Sequence, residues 1–115
     1  MRLQAEFQFA AAHRLPHYDG PCFRMHGHNY KLLVQIQGKA DPKSGMILDF
    51  VDLQRIVQQA VLERCDHHTL NDLMENPTAE NLVEWMWAEL APHLPGLCEL
   101  RLFETDELSV VYTGE

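Results

Sequence analysis

At 115 residues the chain is long enough for one compact domain and too short for two. Its apolar share of 46% and charged share of 23% are those of a soluble globular protein, and no apolar run is long enough to span a bilayer. The formal charge of −8, from 17 acidic and 9 basic residues, gains nothing from counterion release on a phosphate backbone, so no nucleic-acid partner is expected, and without a spanning apolar run no membrane partner is expected either.

The opening stretch alternates apolar Leu3, Ala5, Phe7 and Phe9 with polar Gln4, Glu6 and Gln8, which predicts a half-buried strand where a signal peptide would carry an apolar run. Pro16, Asp19, Gly20 and Pro21 then stop regular structure. Alternation resumes at Tyr30, Leu32, Val34 and Ile36 and ends at Gly38. Asp41, Pro42, Ser44 and Gly45 predict a loop, and residues 46–48 a short returning strand. Asp49 is a good helix N-cap, and behind it Phe50, Leu53, Ile56, Val57, Ala60 and Val61 recur at helical spacing to about Arg64. A polar loop over residues 66–77 leads to a second helix, capped by Thr78, striped by Leu82, Val83, Met86 and Leu90, widened by Trp85 and Trp87, and broken at Pro92. Two closing strands, 97–104 and 108–112, are joined by a turn at 105–107.

This order predicts an α+β fold: an antiparallel four-stranded sheet with two helices on one face, forming one domain over residues 1–115. Such a sheet leaves one face and two edges uncovered, so a homo-oligomer that pairs strands between subunits is expected. Cys22, Cys65 and Cys98 form no even disulfide framework, and a cytoplasmic location fits them best.

Seven histidines are many for so short a chain. His26 and His28 lie in register with Tyr30 and Leu32, so both imidazoles leave one strand face with Cα atoms roughly 6–7 Å apart and can converge on one ion. Gly27 between them removes bulk from the opposite face. A zinc site with one open position needs a third ligand, and His13 supplies it if the first two strands pair as a hairpin. Spacing alone leaves a chance His-x-His pair open, and His17, His67, His68 and His93 compete for structural or surface roles.

Six segments carry a resemblance. C-F-R-M-H-G-H-N-Y (residues 22–30) resembles the signature of the 6-pyruvoyl-tetrahydropterin synthase family, in which a cysteine precedes H-G-H by four residues. F-A-A-A-H-R-L (9–15) resembles its first zinc-ligand motif, G-M-I-L-D-F (45–50) its strand-to-helix entry, and D-H-H-T-L-N-D (66–72) the segment with its Asp-His pair. P-T-A-E-N (77–81) and F-E-T (103–105) resemble its pterin-binding region. Ala11 stands where several relatives carry serine, at no evident chemical cost.

The resemblance implies that His13, His26 and His28 hold Zn2+, that Cys22 is the general base with Asp66 and His67 as its partner pair, and that Glu104 anchors the pterin while Thr78 and Glu80 line its pocket. It implies the tunnelling fold, in which subunit sheets join into a barrel as a trimer or as a hexamer made of two trimers, with Asp66 and His67 serving a neighbour's Cys22. Its substrate is 7,8-dihydroneopterin triphosphate, for whose phosphates Arg14 and Arg24 are candidates. A thiol acts as a base in its thiolate form, which a nearby metal ion or imidazolium favours.

Two reactions start from that substrate within the family. One releases triphosphate and acetaldehyde and gives 6-carboxy-5,6,7,8-tetrahydropterin, a queuosine and deazapurine precursor. The other eliminates triphosphate and gives 6-pyruvoyl-tetrahydropterin. The short chain favours the carboxy-forming branch. A non-catalytic zinc-binding oligomer has no need for Cys22, Asp66, His67 and Glu104 together. A zinc hydrolase would cleave simple activated esters in a metal-dependent way.

Overall fold

The computed structural model describes residues 1–115. Strands β1 (Arg2–His13) and β2 (His26–Gln37) form a long antiparallel hairpin in which Leu3 faces Ile36, Phe9 faces Tyr30 and His13 faces His26. The first helix runs Phe50–Val57, passes through a π-helical turn at Gln58–Leu62 and closes with Glu63–Cys65. In the π turn the Glu63 N–H reaches back to the Gln58 carbonyl, and the extra residue per turn lets the adjacent Val61 and Leu62 both enter the core. Strand β3 is His68–Thr69, the second helix Ala79–Leu90, and β4 (Leu97–Phe103) and β5 (Ser109–Tyr112) form the closing hairpin.

Both expected caps form. Asp49 Oδ1 accepts from Val51 N at 2.8 Å, and Thr78 Oγ1 accepts from Asn81 N at 3.1 Å. The core joins alternate strand residues, among them Phe9, Tyr30, Leu32, Val34, Leu100 and Leu102, to the inner faces of both helices. Both helices therefore cover the same sheet face. Gln4, Glu6, Gln8, Asn29 and Arg101, of opposite parity, are exposed on the other.

Two expectations are corrected. The sheet has five strands and is mixed, in the order β3-β1-β2-β4-β5, because β3 pairs parallel with Ala11 and Ala12 of β1. Two residues between a helix end and a 3-10 turn carry no periodic pattern, so alternation could not reveal them. Residues 46–48 are not a strand: Asp41 Oδ1 accepts from the backbone of Lys43 and Ser44, and the segment is held as a compact loop by the Asp41 N–H bond to Met46 O.

The chain is elongated, with extents of 54 × 24 × 24 Å and a radius of gyration of 15.0 Å, against about 13 Å for a compact chain of this length. Gly96 ends the loop before β4 with φ +87°, and a Cβ there would sit 2.4 Å from the Gln37 carbonyl oxygen, which is immobile backbone. Gly96→Ala should lower stability by about 1–3 kcal/mol in urea denaturation, because both the backbone conformation and the space require glycine.

Candidate active site

The hairpin register places three imidazoles together. His13 faces His26 directly, and Ala11, opposite His28, is small enough to leave the second ring room. The ring centroids are 4.6 Å (His13–His26), 5.2 Å (His13–His28) and 4.9 Å (His26–His28) apart. His13 is fully buried, while the other two are partly open.

Backbone carbonyls settle the tautomers of two rings. His13 Nδ1–H donates to Pro77 O at 2.8 Å and His26 Nδ1–H to Arg24 O at 2.7 Å, since a carbonyl can only accept. In the neutral rings each Nε2 is then left as a bare lone pair, and the two face each other at 3.0 Å. Two opposed lone pairs at that distance repel, and a cation between them removes the repulsion. His28 Nε2 is buried with no hydrogen-bond partner, although Glu104 Oε1 lies 2.8 Å away off the bonding direction. Burial pushes the His28 pKa down, Glu104 opposes this, and His13 and His26 lower it further, which favours the neutral ligand form. An orphaned nitrogen, two bare nitrogens and carbonyl-oriented rings fit a divalent metal such as zinc. One donor atom from each of His13, His26, His28 and Glu104 lies within 4.8 Å of the others.

The orienting carbonyls of Pro77 and Arg24 leave no trace in residue type. Tyr30, a strand residue by its alternation, brings its hydroxyl within 3.3 Å of His13 Nδ1. Its phenol pKa is pushed up by burial first, then by Glu104 and Cys65. Glu104, which the resemblance gives as the pterin anchor, also lies within reach of the imidazoles.

Asp66 and His67 dock together on the outer edge of β1. Asp66 Oδ1 accepts from Ala10 N at 3.0 Å, His67 N donates to Ala10 O at 2.6 Å, and the two side chains meet at 3.0 Å. The Ala10 N–H holds the Asp66 carboxyl below its ordinary range, partial burial opposes this, and His67 and His68 add to the lowering. His67 adopts φ 59°, a left-handed conformation uncommon outside glycine and frequent at functional positions. Its ring borders an open groove of about 420 Å³ lined also by Gly27, His28 and Asn29.

Cys22 lies in a 3-10 turn, Pro21–Phe23, pinned by the Leu15 N–H bond to its carbonyl at 2.8 Å. No hydrogen bond or ion pair joins it to Asp66, His67 or the imidazoles. Arg24 borders a cavity of about 560 Å³ beside this turn, whereas Arg14 lies over the Phe23 ring. Thr78 spends its hydroxyl on the helix cap, and Glu80 is exposed in the first helical turn. Cys65 is buried in the core with its thiol pKa pushed up to about 12 by burial, so it is inert.

Comparisons with known proteins place the chain in a family. The family model described as 6-pyruvoyl tetrahydropterin synthase matches residues 2–115. A 6-carboxy-5,6,7,8-tetrahydropterin synthase of Synechocystis is 36% identical over 107 residues, covering 87% of this chain and 83% of the relative. The human 6-pyruvoyl tetrahydrobiopterin synthase is 36% identical over 99 residues, covering 78% and 67%. The solved 6-pyruvoyl tetrahydropterin synthase of Caenorhabditis elegans superposes with a TM-score of 0.90 at 27% identity, covering 100% of this chain and 96% of its own. With the family model spanning nearly every residue and the fold shared end to end, the chain belongs to the 6-pyruvoyl tetrahydropterin synthase family.

Proposed function

We propose that the protein is a zinc-dependent 6-carboxy-5,6,7,8-tetrahydropterin synthase that acts on 7,8-dihydroneopterin triphosphate and releases acetaldehyde and triphosphate. The observation that carries this reading is the convergence of His13, His26 and His28, with two bare nitrogens and one orphaned nitrogen, in a chain of this family. His13, His26 and His28 would hold a zinc ion, which when bound would supply Lewis acidity toward neighbouring hydroxyls of the substrate side chain.

The remaining roles belong to the chain. Glu104 accepts two parallel N–H donors from the aminopyrimidinone edge and fixes the ring. Thr78 and Glu80 line the pterin pocket. Cys22, as the thiolate, removes a proton from the side chain. Asp66 orients the His67 ring, which exchanges a proton on the other side. The lack of any hydrogen bond or ion pair between Cys22 and the Asp66–His67 pair within one chain supports sites shared between subunits, as does the elongated shape with a sheet face left open. A trimer, or a hexamer of two trimers, is the assembly this supports.

A second reading has its own support: the Synechocystis carboxy-forming and the human pyruvoyl-forming relatives are equally identical to this chain. The test is product analysis by mass spectrometry after incubating zinc-loaded protein with 7,8-dihydroneopterin triphosphate. Carboxy-tetrahydropterin with matching acetaldehyde is the expected result. A pyruvoyl product would move the protein to the other branch, and no turnover would put a non-catalytic zinc-binding protein in front.

A further inference from the structure

Glu104 occupies a position that anchoring a pterin does not explain. Its Oε1 lies 2.8 Å from His28 Nε2 and 3.9 Å from His13 Nε2, and one donor atom from each of Glu104 and the three histidines lies within 4.8 Å of the others. His13 Nε2 offers the Glu104 carboxylate no proton, and that carboxylate lies off the bonding direction of His28 Nε2, so no hydrogen bond accounts for its approach to the cluster. Its backbone is fixed there too, because the Glu104 N–H donates to Leu108 O at 3.0 Å and closes the hairpin between β4 and β5.

We propose that Glu104 is the fourth protein ligand of the resting metal centre and that the substrate's aminopyrimidinone edge draws it away. The second half rests on the pterin reading, whereas the first rests only on the cluster itself. Zinc sites filled by four protein donors are closed, and those that react keep one position open. A carboxylate that exchanges its metal for two parallel N–H donors joins recognition to opening. A molecule with the aminopyrimidinone ring frees a position for its own hydroxyls, and a polyol without the ring does not.

The test uses the full chain, stripped of metal, as wild type, Glu104→Ala and Glu104→Gln. Zinc affinity is read by competition with a chromophoric chelator, the cobalt(II)-loaded visible spectrum reports the donor set, and calorimetry reports binding of 7,8-dihydroneopterin. Both variants should bind zinc about tenfold or more weakly, since losing a direct ligand costs at least as much as losing an outer partner. Their cobalt bands should differ from wild type, and 7,8-dihydroneopterin should shift the wild-type bands but not those of Glu104→Gln, the variant that keeps the side chain's size if Glu104→Ala does not fold. Unchanged zinc affinity and cobalt spectra overturn the proposal. If they are unchanged while pterin binding is lost, Glu104 is an anchor only. If zinc binding weakens while pterin binding persists, the ligand assignment stands and the anchoring role falls.

Discussion

A Cys22→Ala protein is expected to keep its fold and its metal while kcat falls by about 10²- to 10⁴-fold, the usual contribution of a positioned general base. The turn that carries Cys22 is partly exposed and held by backbone bonds, so removing the sulfur disturbs no buried contact. The side chain also lies outside the cluster of four potential donors, so zinc content should not change. The measurement is kcat alongside metal analysis of the same sample. Full turnover by Cys22→Ala would place the base elsewhere, with the Asp66–His67 pair the next candidate.

The second large effect concerns the coupling of metal to stability. In wild type, a metal present at a thousandfold excess over its Kd should stabilise the fold by about 4 kcal/mol. His28→Ala should abolish most of that gain. In the metal-free state the same substitution should cost little, because it removes a buried nitrogen that has no hydrogen-bond partner, and this offsets the packing lost with the ring. Denaturation midpoints with and without zinc, for both proteins, give the four values needed. If the His28→Ala protein gains as much from zinc as wild type does, the histidine cluster is not the metal centre. His13 is the less informative choice for this comparison. Its ring is fully buried and bonded to Pro77 O, so its loss would destabilise the protein with or without metal.

What was legible in the chain were features decided by near neighbours. Period-two alternation exposed β1 and β2, helical spacing exposed both helices, and Asp49 and Thr78 marked where those helices begin. These signals survive because alternation and capping act over four residues or fewer. The shared face of His26 and His28 was legible for the same reason, and adding His13 needed only the assumption of a hairpin, which the register of β1 on β2 bears out.

The sequence by itself therefore determined the α+β class, the helix boundaries and a two-histidine face, because local periodicity and capping encode them. Tertiary structure alone decided the rest. The parallel addition of His68–Thr69 to β1 depends on where the first helix ends after its π turn. The tautomers of His13 and His26 depend on carbonyls of Pro77 and Arg24, groups that every residue carries and no sequence pattern distinguishes. The approach of Glu104 to His28 depends on the register of β4 against β2, where one slipped residue would turn the carboxylate to the opposite face.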